Sequence, residues 1–280
     1  MKSIKLLFSA EKCLDNLLLN VFGFQVIRYL LARFFYTIKH NFIKSNEYQE
    51  VKKKGYSQIE NFLNEKDFKK IIDEYSIAIN DQRYAKKVSQ QIDGTIDEGL
   101  DYISMPLNDN IKNVYPNLYN LKNNQKVKNY FYECEQKNNI QIHARLEKII
   151  VRDKTKLDPN KDYHFDTFHH TFKAWLFLGN VRNEDGPFHI VPNTHKLSFG
   201  RLFFEWKMSI LYSLKKINSS FRSVKRKEIL DNKSKSFRVS KNTFLMANVH
   251  ALHRRGDAEN NTERVSIQFW TRENPFKIFL

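Results

Sequence analysis

From residue 142 onward the sequence consists of short apolar runs punctuated by turn residues, and this texture narrows the possible folds more than any other feature. Ile142, Ala144 and Leu146 alternate and lead into Ile149-Ile150-Val151. Successive strand side chains point to opposite faces, so such alternation marks a strand with one face in a core. Further runs follow at 163–168, 172–178, 188–191, 237–239, 244–247 and 264–270, with turns at Asp158-Pro159-Asn160 and Asp185-Gly186-Pro187. The first half of the chain reads differently. Residues 55–59 suit a short strand, after which Asn64 caps a helix with the apolar stripe Phe68, Ile71, Ile72, Tyr75 and Ile79. Residues 86–113, polar and holding Gly94 and Gly99, read as loop. Pro116 opens a helix expected to run to about residue 137, and 201–217 keeps a helical rhythm. Helices first and hairpin-spaced strands afterwards predict an α+β chain with an antiparallel sheet closing into a barrel.

Residues 1–54 stand apart as an N-terminal helical extension. Leu17, Leu18, Phe22, Ile27, Leu30, Phe34 and Phe35 belong to an apolar stretch, 14–42, that Asn20, Gln25, Arg28 and Arg33 interrupt. It offers no clean run of ~20 apolar residues for a membrane span. It allows either a helix packed on the protein's own core or one lying on a membrane surface. The first ten residues look like the start of a signal peptide, but Glu11, Lys12 and Asp15 end its apolar core early. Two cysteines, Cys13 and Cys134, without a CxxC spacing make neither a disulfide framework nor a zinc site. The expected location is cytoplasmic, with peripheral membrane contact through 14–42 as an option. A net charge of +16 favours anionic partners. It is spread out, in runs such as Lys52-Lys53-Lys54 and Lys225-Arg226-Lys227, and no nucleic-acid-binding motif accompanies it, so no nucleic acid is expected.

His164 and Asp166 lie two apart in a strand-like context. On an extended strand both would reach one metal from the same face. A second imidazole would complete a two-His, one-carboxylate set with open coordination positions. His250 and His253 both follow the 244–247 run and compete for that place. Arg264 and Ser266 share one face of the last strand, where a guanidinium fork and a hydroxyl suit a carboxylate. Lys173 and Trp175, on the strand after the H-x-D triplet, are candidates to touch a co-substrate or substrate.

With these residues the chain resembles the phytanoyl-CoA dioxygenase-like iron(II)/2-oxoglutarate oxygenases. The likeness spans roughly residues 55 to 276. It includes Lys173-Ala174-Trp175-Leu176-Phe177-Leu178, Asp185-Gly186-Pro187-Phe188, Pro192-Asn193-Thr194-His195-Lys196, and His253-Arg254-Arg255-Gly256 followed by Arg264. Asn193-Thr194 stands where the family has Gly-Ser, which puts that turn's geometry in question. The resemblance implies a double-stranded β-helix (cupin-like jelly-roll) barrel over 55–280, with flanking N-terminal helices. It implies Fe(II) held by His164, Asp166 and His253, and 2-oxoglutarate chelated to iron with its far carboxylate on Arg264. It favours His253 over His250, because His-Arg-Arg-Gly begins there. A carboxylate at Asp166, where related halogenases have a small residue, favours hydroxylation.

A nucleic-acid dealkylating oxygenase would carry a second arginine six residues after Arg264; that position is Trp270. A non-enzymatic or membrane-peripheral barrel would not need Asp166, His253 and Arg264 together, and a cupin isomerase would not need Arg264 with Ser266. The expected substrate is a small molecule or lipid-like compound of anionic character. Specificity is expected in the loops at 86–113 and 199–235, the latter with Phe203, Phe204, Trp206, Tyr212, Phe221 and Arg222.

Overall fold

The alternation that marks the second half of the chain is what gives its sheets two different faces. The computed structural model describes residues 8–38, 45–88, 91–92, 95–96, 98–217, 223–224 and 226–277. Residues 1–7, positions 39–42 of the apolar stretch, Gly94, Phe221, Arg222 and Lys225 lie outside the described residues. The helices are α1 (Leu17–Val21), α2 (Phe24–Ile38), α3 (Asn46–Lys54), α4 (Glu65–Ala78), α5 (Pro116–Leu121), α6 (Gln125–Glu135), α7 (Phe199–Ser213) and α8 (Lys227–Asp231). The strands are β1 (Tyr56–Ile59), β2 (Lys86–Lys87), β3 (Gln91–Ile92), β4 (Thr95–Ile96), β5 (Leu100–Pro106), β6 (His143–Val151) and β7 (Tyr163–His164). They continue with β8 (Phe172–Phe177), β9 (Phe188–Ile190), β10 (Ser223–Val224), β11 (Lys235–Phe237), β12 (Thr243–Asn248), β13 (His253–Arg255) and β14 (Glu263–Trp270).

A seven-stranded sheet runs β1-β12-β8-β14-β6-β5-β2, a five-stranded sheet runs β10-β7-β13-β9-β11, and every pairing is antiparallel. One face of the larger sheet sends Ala144, Leu146, Ala174, Leu176, Val265, Ile267 and Phe269 into a core with Val51, Phe68, Leu118 and Phe131 of helices α3 to α6. Each large apolar side chain buried there contributes roughly 1.5–3 kcal/mol. The alternate residues, Arg145, Glu147, Lys173, Trp175, Arg264 and Gln268, face the smaller sheet across a cavity. The register sets Gln268 opposite both Arg145 and Trp175, so polar inward groups meet side by side on three strands.

The helix at 65–78 begins as expected, with the Asn64 side chain accepting from the Asp67 amide. Four expectations are corrected. The supposed loop 86–113 contains β5, paired along its whole length with β6. Its inward face carries Tyr102 and Ser104, which hide the alternation, while Met105 enters the core. The helix from Pro116 breaks after Leu121, and the Asn124 side chain starts a second helix by accepting from Lys126 N. The expected strand 163–168 ends at His164; Asp166 lies in the following loop, its amide bonded to Val249 O at 3.2 Å. The helix read from Arg201 starts at Phe199, capped by Ser198, and stops at Ser213.

Asn193-Thr194 holds its turn with other atoms than Gly-Ser would use. Asn193 takes φ +68°, a left-handed conformation that Asn tolerates better than most non-glycine residues. The Thr194 hydroxyl donates to Val191 O at 2.7 Å and accepts from Leu252 N at 2.9 Å, tying this turn to the residue before His253. Asn193→Val should therefore lower stability by about 1–2 kcal/mol, whereas Asn193→Gly should stay within about 0.5 kcal/mol of wild type in a thermal or urea melt.

Candidate metal centre

His164 closes β7 and His253 opens β13, and the two are directly paired across the ladder. Directly opposed residues project to the same side, and the rings lie 4.4 Å apart between centroids. Asp166, brought back by its loop, sets Oδ1 3.5 Å from Nε2 of each histidine. The ligand atoms all lie within 4.8 Å of one another. Nδ1 of His164 sits 2.8 Å from Asp162 O, and Nδ1 of His253 sits 2.9 Å from Ala251 O. A carbonyl only accepts, so Nδ1 carries the hydrogen on each ring and Nε2 offers its lone pair to the centre. Two neutral imidazoles and a carboxylate form a donor set suited to a divalent transition metal, iron among them.

Lys173 holds the other carboxylate oxygen, Nζ to Oδ2 at 2.6 Å, and so fixes which oxygen faces the histidines. Burial pushes the Asp166 carboxyl up, but the Lys173 cation, with His253 beside it, outweighs it, and the group is held well below the usual carboxylate range. Burial and the neighbouring His164 lower His253, against the pull of Asp166. The centre is therefore a carboxylate and, at His253, a disfavoured cation, which suits ligation.

The triad opens on a cavity of about 140 Å³ between the two sheets. Most charges in its wall are matched. Glu147 accepts from Arg145 and Tyr102, Arg255 pairs with Asp158 at 3.1 Å, and Arg254 pairs with Asp231 at 3.0 Å. Arg264 differs. It is enclosed, its guanidinium donates to Gly186 O, and among the described residues it has no carboxylate at ion-pair distance. Burial and then the nearby Arg255 push its pKa down to about 10. Glu147 and Asp158 act on it only from beyond ion-pair distance, so a part-buried cation is left that an anion could pair. Ser266 is buried on the same face of β14, between Arg264 and Gln268, but does not itself line the cavity. Trp175 lines it and packs on Phe188 with centroids 4.8 Å apart.

His250 is placed away from the triad. Its Nδ1 lies 3.2 Å from both Thr167 O and Arg201 Nη2, and its ring stands 5.2 Å from that of His170. Arg201 braces both ligand-bearing loops, donating to His250 O and Thr167 O at 3.0 Å each. Tyr102, Arg145, Glu147 and Gln268 were not expected in the site. A signal existed for two of them: Arg145 and Glu147 are charged residues interleaved with Ala144 and Leu146 in an otherwise apolar strand. A wider cavity of about 440 Å³ adjoins the first and shares Arg145, Asp166, Lys173 and Gln268 with it. Lys12 and Arg272 add basic groups to its wall, and its two carboxylates, Asp166 and Glu273, are already ion-paired.

No protein-family model matches the chain, and no curated protein sequence matches it. Its fold is shared with solved structures. The epimerase SnoN in complex with Fe3+, alpha ketoglutarate and nogalamycin RO superposes with a TM-score of 0.50 at 11% identity, over 79% of this chain and 80% of that one. EctD from S. alaskensis with bound Fe gives a TM-score of 0.50 at 10% identity, over 82% of this chain and 76% of that one.

Lys173→Met should weaken metal binding about 10–100-fold while leaving the fold intact, as read by metal titration with circular dichroism as control. Acid should destabilise the metal-free protein for a separate reason. Burial, and then neighbouring cations, hold His170 and His250 well below the ordinary histidine pKa. Below pH ~6.5 the unfolded chain takes those protons and the folded chain does not, so stability falls with pH by up to about 1.4 kcal/mol per pH unit per histidine. His170→Gln should flatten that slope between pH 6.5 and 5, measured by urea melts.

Proposed function

We propose that the chain is an Fe(II)/2-oxoglutarate-dependent dioxygenase of the phytanoyl-CoA dioxygenase-like kind, hydroxylating a C–H bond of a small molecule. The observation that carries this reading is the part-buried guanidinium of Arg264, with no ion-pair partner among the described residues, in the same cavity as a two-histidine, one-carboxylate set. His164, Asp166 and His253 would hold the iron. Arg264 would take the far carboxylate of 2-oxoglutarate, with Ser266 behind it on the same strand face. Bound together, iron, oxygen and 2-oxoglutarate supply the oxidation, in which the substrate gains a hydroxyl and 2-oxoglutarate leaves as succinate and carbon dioxide.

The chain's own residues do the rest. Carbonyls of Asp162 and Ala251 fix the imidazole tautomers, and Lys173 turns the Asp166 carboxylate. Trp175 and Phe188 give the inner cavity an apolar wall that limits water. The catalytic unit in this reading is a double-stranded β-helix barrel over 55–280, with 1–54 seated on it as an extension, working in the cytoplasm. Lys12 and Arg272 add positive charge to the wall of the wider cavity, whose Arg145 and Lys173 are paired with Glu147 and Asp166, and this favours an anionic, lipid-like substrate entering beside Asp166.

Anaerobic addition of Fe(II) and then 2-oxoglutarate should produce a visible metal-to-ligand charge-transfer band, and Asp166→Ala should abolish it. A folded, metal-loaded wild type without the band would rule the assignment out. Arg264→Met should keep the metal yet lose 2-oxoglutarate binding by tenfold or more. Because it removes a part-buried cation that has no ion-pair partner among the described residues, it should melt no lower than wild type in the absence of ligand.

A further inference from the structure

A surface helix ordinarily buries its apolar stripe and shows water its polar one. Two helices of this chain, α1 and α7, do the reverse, and a third, α2, carries apolar residues on its outward face as well as its inward one. α7 buries Arg201, Glu205 and Ser209, at successive i, i+4 positions, and turns out Phe199, 92% exposed, and Phe203, 59% exposed. α2 buries Gln25 and Arg28 together with Tyr29, Ala32 and Phe35, while Ile27, Leu30, Phe34 and Ile38 form one outward stripe. α1 buries only Asn20 and exposes Leu17, Leu18 and Val21, with Phe22 beyond it 79% exposed.

The seams between these helices are polar and bonded. Asn20 Nδ2 donates to Ser209 O at 3.2 Å and to Ser213 Oγ at 2.9 Å. Gln25 Nε2 reaches Glu205 Oε2 at 3.4 Å, and Trp206 Nε1 donates to Val21 O at 3.0 Å. Trp206 also packs on Phe203, with centroids 5.8 Å apart, so the outward residues of α7 and α1 adjoin. Hydrogen bonds inside and hydrocarbon outside is the order of helices that meet lipid. None of the described helices is long and apolar enough to cross a membrane, so the contact is with a surface.

Charge selects the kind of surface. Between residues 196 and 217 the exposed charged residues are Lys196, Lys207, Lys215 and Lys216, of which Lys215 pairs with Asp15, while the one acidic residue, Glu205, is buried against Arg201. Lysines beside an apolar face complement anionic headgroups, with Phe and Leu entering the acyl boundary. We propose that the outer face of α1, α2 and α7 docks this protein peripherally on an anionic lipid bilayer. The docking is independent of the metal chemistry.

Co-sedimentation of the full chain with phosphatidylcholine vesicles, with and without phosphatidylserine, tests it. Wild type should bind the phosphatidylserine vesicles at least tenfold more tightly than the neutral ones. Phe22→Ser combined with Phe203→Ser should lose about tenfold or more at unchanged melting temperature, since both positions are exposed. Lys207→Glu combined with Lys216→Glu should erase the preference for anionic vesicles. Equal binding to both vesicles, no binding, or full binding by the phenylalanine double variant would overturn the proposal. So would a wild-type dimer in sedimentation velocity that the phenylalanine variant dissolves, because the face would then belong to a second copy of the chain.

Discussion

Each central strand of the larger sheet has to serve two environments one residue apart. A strand cannot turn a side chain to the other face without slipping register, and a one-residue slip would drive Arg145, Glu147, Lys173 and Arg264 into the helical core. Ladders such as that between β6 and β14 therefore fix more than a sheet. They hold an apolar layer against helices α3 to α6 on one side and a charged chamber on the other. Arg264, Trp175 and Lys173, which holds Asp166, all take their positions from this alternation.

Within the chamber the charges are largely self-balancing. Carboxylates that neutralise neighbouring cations cannot also recruit ligands, and Glu147, Asp158 and Asp231 are used in that way. Asp166 is divided between tasks: one oxygen belongs to Lys173 and the other faces two imidazoles. Among the described residues Arg264 has a single carbonyl as hydrogen-bond partner and no carboxylate at ion-pair distance.

The strands at 143–151 and 263–270 were legible because their apolar residues keep a two-residue period, and those at 172–177 and 243–248 as short apolar runs. β5 was not, since Tyr102 and Ser104 occupy its inward positions and satisfy their polarity only through partners distant in sequence, such as Glu147. The H-x-D triplet was legible as a pair, but not the route of its backbone: Asp166 reaches its place through a loop whose amide bonds to Val249. The separation of His253 from His250 depends on β13 pairing with β7, a long-range register that composition does not encode. Local signals did better where the chemistry is local, as at the Asn64 cap. The inverted burial of α1 and α7 was beyond reach, because a helix pattern tells which residues share a face but not which face turns inward.

Arg201 reaches the loops that carry His250 and Thr167 with one side of its guanidinium and Glu205 with the other, and Glu205 in turn receives Gln25 from the N-terminal helix. A chain shortened past residue 38 would leave this buried carboxylate missing a donor and Phe168 stripped of the Arg28 that covers it. The extension is thus a keystone and not an appendage.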